Sequence, residues 1–214
     1  MRLLCALIVA GLAALAAYPQ NADMENLGLA GDRFEPLTWD AMTAEQKAMV
    51  ESVLAGPRPG LGGPFNVLLR SPEMGNLAQE LGAYARFNSV LPPNLRELAI
   101  IMTARFWISE FEWYAHKRAA LAAGVDPEVV DAIAAGTRPE RTTPEEAVVY
   151  EFTNELLQTR QVSDPSFAAA RELLGERGVV DLVGTVGYYG LVAMLLNVDR
   201  YPLPEGVERE IGGP

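Results

Sequence analysis

Histidine is the side chain that ordinarily gains and loses a proton near neutral pH, and the 214-residue chain contains one, His116. Ser109 and Glu112 precede it by seven and four residues, so on a helix the three side chains share one face. Glu97 lies upstream in a segment whose apolar residues repeat at helical spacing. These residues predict an acid–base site where two helices meet, with carboxylates that orient the imidazole.

The same residues also allow a purely structural interpretation. A Ser followed three residues later by a Glu is the sequence of a helix capping box, and Ser109 and Glu112 stand in that order. Glu110 and Glu112 would then lie in the first turn, where the helix dipole favours negative charge. Glu112 and His116 would be a surface pair four residues apart. Both interpretations remain open at this stage.

Metal and serine chemistry fit the sequence less well. A catalytic zinc ion usually has three protein ligands, often several histidines, and the chain has one His. We therefore expect no metal site. A nucleophilic Ser109 and His116 would lie about 10 Å apart along one helix axis at about 1.5 Å per residue. The Gly-x-Ser-x-Gly turn of α/β-hydrolases is also absent from the sequence.

The composition excludes some classes of partner. The formal net charge is −11, whereas a nucleic-acid-binding face is basic, so no nucleic-acid partner is expected. The same charge disfavours attraction to anionic membranes. A chain of this length, half of it apolar, can bury a substantial core. The expected partner is a small-molecule substrate.

The N-terminus has the pattern of a secretory signal peptide. Arg2 precedes an apolar run from Leu3 to Ala17, and Ala14-Leu15-Ala16 is a small-x-small cleavage sequence. The run is shorter than the ~20 residues of a membrane-spanning helix. We expect residues 1–16 (to about 22) to be removed, and the protein to be secreted or periplasmic with no membrane contact afterwards. Loss of Cys5, the only cysteine, would leave a chain without disulfides.

The rest of the chain has the pattern of helices separated by Gly and Pro. Residues 23–64 are predicted to form an arm, a helix and a Gly/Pro-rich loop that can cover a substrate. Residues 65–204 are predicted to form the main domain and residues 205–214 a polar tail. No segment alternates with the period of a strand, so we predict an all-α fold of stacked helix hairpins. Capping residues predict helices that begin after Thr43, Ser71, Asp126, Thr143 and Asp164.

Two short motifs resemble those of the carboxymuconolactone decarboxylase family, which shares its fold with the alkylhydroperoxidase D (AhpD) proteins. They are Arg-Glu-Leu-Ala at residues 96–99 and Glu-Trp-x-x-His at residues 112–116, followed by Gly-Val at 124–125. The resemblance is strongest over residues 91–135 and extends more weakly from 65 to 204. It implies an AhpD-like helical domain.

The resemblance also implies which chemistry the site retains. The AhpD proteins carry Cys-x-x-Cys-x-x-x-His and an upstream Glu, in a proton relay that makes thiolates. The two cysteine positions fall on Ser109 and Glu112, the histidine on His116 and the upstream carboxylate on Glu97. The relay residues are present and the thiols are not, so we do not expect hydroperoxide reduction by that mechanism.

Acid–base chemistry remains. The family's decarboxylases need no cofactor, because the substrate lactone loses CO₂ and leaves an anion that is then protonated. By this resemblance His116, Glu112 and Glu97 are the expected catalytic residues of a lyase that acts on a small carboxylated or lactone-type substrate. An arginine, Arg96 or Arg105, could hold a substrate carboxylate. The expected substrate-binding residues are Ser109, Arg96, Tyr84 and Trp113.

The resemblance and the apolar late part of the chain also predict an oligomer. The family forms trimers and hexamers, and residues 179–196 are more apolar than one small domain needs. We therefore expect a homo-oligomer, a trimer or hexamer. The alternative to an enzyme is a non-catalytic helical binding or assembly module with the same fold.

Overall fold

The computed structural model describes residues 26–58 and 60–212, and over these residues the chain is all-α, as predicted. The predicted signal peptide lies outside the described residues. The α-helices, in chain order, are α1 Ala44–Leu54, α2 Phe65–Leu68, α3 Pro72–Ala83, α4 Pro93–Phe106, α5 Glu110–Ala122, α6 Pro127–Ala135, α7 Pro144–Thr159 and α8 Asp164–Asp199.

Helix α4 is the centre of the domain. It contacts α5, α6, α7 and α8, and most of its residues from Leu95 to Ala104 are buried. Their methyl and methylene groups form the main core with Trp113 of α5 and apolar residues of α6, α7 and α8. A three-residue turn, Trp107 to Ser109, joins α4 directly to α5. The two helices that carry Glu97 and His116 therefore form one hairpin.

Capping residues start several helices where the sequence predicts them. Thr43 and Gln46 form a reciprocal capping box at α1, and Thr143 and Glu146 form another at α7. Ser163 caps α8, one residue before the predicted Asp164, and its hydroxyl accepts from Ser166. These hydroxyls satisfy backbone N–H groups that lack a partner within the helix.

The predicted capping box at α5 is not formed. Ser109 lies at the N-cap, but its side chain makes no capping hydrogen bond. Glu112, which would complete the box, is buried instead of reaching back to the backbone. Ser71 likewise makes no side-chain cap at α3, where Pro72 takes the first position. The capping-box interpretation of Ser109 and Glu112 is therefore wrong, although Glu110 and Glu112 do lie in the first turn of α5.

Two irregularities shape the later part of the fold. The helix predicted from Ser71 to about Asn88 changes, after Ala83, into a single π-helical turn over Tyr84–Asn88. Helix α8 is interrupted at Gly175, whose φ of 69° and ψ of 172° are not helical. The segment after this kink carries Tyr188 and Tyr189 into the domain. Helix α8 as a whole is long and apolar enough to cross a membrane, yet 61% of its most apolar window is buried inside the protein.

Candidate active site

A cavity of about 100 Å³ lies beside α5, where four segments of the chain meet. Arg58 and several residues up to Phe65 come from the Gly/Pro-rich loop and the start of α2. Arg86 comes from the π-helical turn, and α8 contributes two tyrosines and two aliphatic residues. The full lining is Arg58, Gly62, Gly63, Pro64, Phe65, Arg86, Phe111, Glu112, Ala115, His116, Tyr188, Tyr189, Val192 and Leu196.

Glu97 and His116 form a buried pair across the α4–α5 hairpin. The Oε2 atom of Glu97 lies 2.7 Å from Nδ1 of His116, and the two residues are 4% and 8% exposed. The ring of Tyr189 packs edge-on against the imidazole, with the ring centres 4.7 Å apart. The imidazole is therefore held by a carboxylate on one side and an aromatic ring on another, and it lines the cavity.

Positive charge near Glu97 keeps this residue ionised. Burial acts to raise the pKa of Glu97, but the hydrogen bond and charge of His116 hold it below its usual value, helped by the guanidinium groups of Arg96 and Arg86. The Nε atom of Arg96 lies 3.6 Å from Oε1 of Glu97. Glu97 is thus an anionic partner for the imidazole and lies behind it, since it does not line the cavity itself.

The surroundings of Glu112 shift its pKa in the opposite direction from that of Glu97. It is 2% exposed, and neither of its carboxyl oxygens has a hydrogen-bond partner within residues 26–58 and 60–212. Burial raises the pKa of Glu112 well above its usual value, because no partner compensates for the lost hydration. The neutral acid is therefore favoured, and it lines the same cavity as His116. The pKa values of the two carboxyl groups predicted from the sequence are thus shifted in opposite directions.

The two arginines of the cavity were not predicted from the sequence. The guanidinium of Arg58 lies over the rings of Phe65 and Phe87, 5.2 and 5.9 Å from their centres, and it hydrogen-bonds the hydroxyl of Tyr188. Its Nε is buried without a partner in the part of the chain that the structure describes. Arg86 reaches the cavity from the π-helical turn. Both groups offer donors of the kind that bind carboxylates.

The structure places the four predicted substrate-binding residues away from this cavity. Trp113 is 1% exposed and belongs to the main core, where its Nε1 donates to Glu210. The hydroxyl of Tyr84 donates to Asp181. Arg96 pairs with Glu97, and Ser109 lines a neighbouring groove. None of the four lines the cavity, because helical spacing predicts a shared face but not the depth at which each side chain ends.

No group of His, Cys, Asp and Glu side chains among the described residues is arranged to hold a metal ion. Arg105, the other arginine considered for a substrate carboxylate, donates instead to the carbonyl oxygen of Ala134. The chemistry available in the cavity is therefore that of an imidazole, a carboxylic acid, two tyrosines and two guanidinium groups.

Comparison with known proteins finds one family that matches part of the chain and a solved structure with a similar fold. Residues 72–155 match the carboxymuconolactone decarboxylase family. The fold is similar to that of ATU0492 from Agrobacterium tumefaciens, a crystal structure of a protein of unknown function described as a candidate antioxidant defence protein AhpD. The TM-score is 0.56 at 15% sequence identity, covering 68% of this chain and 99% of that one. The chain thus resembles the family over residues 72–155 and shares the helical fold of that structure. No curated protein matches it in sequence.

The resemblance inferred from the two sequence motifs is thereby confirmed. The matched segment contains Arg86, Glu97, Glu112 and His116, and so most of the polar groups around the cavity. Arg58 precedes this segment and the two tyrosines follow it. The segment matched by the family therefore supplies the imidazole and the two carboxyl groups, and residues on either side of this segment complete the cavity.

Proposed function

We propose that the protein is a cofactor-independent acid–base enzyme, a lyase, that transfers a proton through His116 on a small carboxylated or lactone-type organic substrate. The observation that carries the proposal is that a buried imidazole and a partnerless carboxyl group, Glu112, share one cavity with two guanidinium groups. Leaving a buried carboxyl without a hydrogen bond is costly. A bound substrate would supply the missing partner.

The Glu97–His116 pair suits proton transfer. Because Nδ1 of His116 is engaged by the carboxylate, Nε2 is the nitrogen that remains to exchange a proton with a substrate. When Nδ1–H donates to Glu97, Nε2 is unprotonated and can accept a proton. The imidazolium formed is then stabilised by the buried carboxylate. His116 would act as base or acid, and Glu97 would position it.

In a decarboxylation, the C–C bond to the carboxylate breaks and CO₂ leaves, while the electron pair stays on the substrate as a dienolate. One carbon of this anion then takes a proton, so the reaction consumes one proton for each CO₂ released. Glu112, favoured in its neutral form, and the His116 imidazolium are the two proton donors of the cavity. Arg58 and Arg86 would bind a remaining carboxylate and stabilise the developing negative charge.

The competing interpretation is a non-catalytic helical module. Such a module would leave His116 on an open face, or pack it in the core without access to a cavity. The buried ion pair, the cavity and the partnerless Glu112 all favour an enzyme. The proposal of a lyase rests on the family resemblance. The proposal of proton transfer rests on the imidazole of His116 and the carboxyl group of Glu112 in the cavity.

Proton transfer to carbon can be tested before the natural substrate is known. Small lactone acids, carboxymuconolactone among them, and unsaturated carboxylates would be incubated with the protein in D₂O and followed by ¹H NMR. We expect deuterium incorporation or loss of CO₂ with at least one compound, abolished in His116→Ala. Arg171→Gln, an exposed change on α8, should retain the activity. Equal rates in wild-type and His116→Ala protein, or no turnover across the panel, would count against the proposal.

A further inference from the structure

A second and much larger groove adjoins the catalytic cavity. Its volume is about 850 Å³, and it lies between the α4–α5 turn, the end of α8 and the C-terminal segment. Phe111 and Leu196 line both the groove and the cavity, so one layer of side chains separates them. Binding sites for organic ligands commonly have volumes of about 300–1,000 Å³. The groove falls in this range, whereas the inner cavity holds only a small group.

The groove is basic in an acidic protein. Three arginines line it, Arg33, Arg200 and Arg209, against one carboxylate, Glu110. The carboxyl oxygens of Glu110 accept the backbone N–H groups of Glu210 and Ile211, at 3.0 and 3.2 Å. Arg33 is anchored through one nitrogen, Nη1, to the carbonyl oxygen of Val198 at 3.0 Å. In a chain of net charge −11, this concentration of guanidinium groups favours an anionic ligand.

Apolar and aromatic side chains form the rest of the groove. Trp107 and Ile108 are exposed at the α4–α5 turn, and the rings of Phe111 and Tyr201 pack with their centres 4.3 Å apart. The lining thus combines aromatic faces, which bind a flat apolar body, with guanidinium groups, which bind a carboxylate.

A buried hydroxyl also points to a ligand. Ser109 lines the groove and is 1% exposed, yet its Oγ has no partner among residues 26–58 and 60–212. The neighbouring Ile108, also on the groove, has a positive φ angle of 52°, which is uncommon for a β-branched residue.

We propose that the groove binds an amphiphilic organic anion, with its carboxylate at the arginines and its apolar body on Trp107 and Phe111. The reactive end of the same molecule then reaches the cavity past Phe111. This inference rests on the proposed function, since it makes the groove the outer part of the substrate site. The substrate is accordingly an organic acid with an anionic group in the groove and its reactive end in the inner cavity.

Binding can be measured without turnover. Isothermal titration calorimetry of the whole chain would compare 2-naphthoate with the uncharged 2-naphthamide. We expect naphthoate to bind at least about tenfold more tightly, and Arg200→Gln to lose about tenfold of that affinity, the effect of one charge-assisted contact. Trp107→Ala should weaken both probes. Arg171→Gln, which removes an equal charge at the opposite end of α8, should bind like wild type.

The lone histidine reports whether the groove and the cavity communicate. Because His116 is the only histidine, its imidazole C–H signals can be identified directly in NMR spectra. Naphthoate should shift these signals in wild type but not in Arg200→Gln at the same concentration. Equal affinity for the two probes, or wild-type affinity in Arg200→Gln, would overturn the anion site. If naphthoate binds selectively but does not shift the His116 signals, the groove is not part of the substrate site. Failure of proton transfer would appear separately, as deuterium exchange that does not depend on His116.

Discussion

The hydroxyl of Tyr188 occupies the space where a Cβ atom at position 82 would lie. A Cβ built on Gly82 overlaps the end of the Tyr188 ring and lies 2.7 Å from Nη2 of Arg58. Gly82 has no unusual backbone angle and belongs to helix α3. Its lack of a side chain is therefore what lets α8 and Arg58 approach α3 and close the cavity.

Gly82→Ala should disturb the cavity more than the helix. In a helix interior this change gains about 0.5–1 kcal/mol of propensity, but overpacking a well-packed position costs about 1–3 kcal/mol. We expect net destabilisation by about 1–2 kcal/mol in a denaturant titration, with loss of activity as Tyr188 and Arg58 move.

The matched control is the same change in a Tyr188→Leu background. Once the ring is removed, Gly82→Ala should be neutral or stabilising, so the two substitutions should be strongly non-additive. If the effects of the two substitutions on the free energy of unfolding are additive, the contact between position 82 and the Tyr188 ring does not limit the packing of α3 against α8.

The burial of Glu112 predicts a stability difference that grows with pH. The folded state holds the Glu112 proton to higher pH than the unfolded chain, whose carboxyl ionises near the ordinary value of 4.5. Between the two pKa values the folded state binds more protons, so stability falls as pH rises above about 4.5. Glu112→Gln removes this loss. Its melting temperature should match wild type near about pH 4 and exceed it increasingly towards about pH 8.

Glu176→Gln provides the comparison for this experiment. Glu176 is exposed on α8, so its substitution should give a nearly constant difference in melting temperature across the same pH range. A Glu112→Gln variant that is less stable than wild type at pH 8 would show that the carboxylate is compensated in the folded protein.

The proximity of Glu97, Glu112 and His116 could be predicted because the three residues lie close in sequence. Glu112 and His116 share one helix face, and Glu97 is on the preceding helix of the same hairpin. Periodicity and a short connection are enough to bring such residues together. The same local reasoning found the capping boxes at Thr43 and Thr143.

The other groups of the cavity depend on tertiary packing and could not be predicted in this way. Arg58 lies on a loop, Tyr188 on the last helix, and Arg86 on a π-helical turn that leaves no signal in hydrophobic periodicity. The composition of the Gly/Pro-rich loop predicts a substrate cover, but it does not indicate which side chains of the loop face inward. Trp113 belongs to the core and does not line the cavity. An aromatic residue beside a motif can occupy either position, and the sequence does not distinguish the two.

Thiol chemistry should be absent from the natural protein. The single cysteine is Cys5, and the two positions that carry cysteines in the AhpD proteins are Ser109 and Glu112. We expect no dithiol-dependent reduction of an organic hydroperoxide in a coupled assay. The double substitution Ser109→Cys with Glu112→Cys restores the Cys-x-x-Cys-x-x-x-His spacing that ends at His116, and it should gain measurable turnover. Sustained turnover by wild type would refute this prediction.

Exposed apolar residues predict self-association. Val180 is 68% exposed, and Val183, Met194 and Val198 follow it at helical spacing along α8. Leu77 of α3 is 65% exposed. Exposed apolar residues repeated along one helix are what an interface needs, and we expect a homo-oligomer, a trimer or hexamer, in light scattering at micromolar concentration.

A charge within this apolar stripe should dissociate the oligomer. Val180→Glu places a carboxylate at its most exposed position, whereas Gln161→Glu adds the same charge at an exposed polar position outside it. Only the first change should reduce the measured mass. A wild-type protein with the mass of one chain would refute the prediction.

If both His116 and Glu112 transfer protons, substitutions of the two residues should have different effects on turnover and on its pH dependence. His116→Ala should lower turnover by roughly 10²–10⁴, the usual contribution of a positioned acid or base. Turnover that needs the neutral form of Glu112 should fall as pH rises through its raised pKa. Glu112→Gln, which cannot donate this proton, should lower turnover and remove the alkaline limb. Glu97→Gln should lower turnover as His116→Ala does, but by a smaller factor, because Glu97 acts through the imidazole. The measurement is a pH–rate profile for each variant, on the first substrate found by deuterium exchange, with a melting curve beside it. Folded His116→Ala protein with full activity would exclude the imidazole from the chemistry.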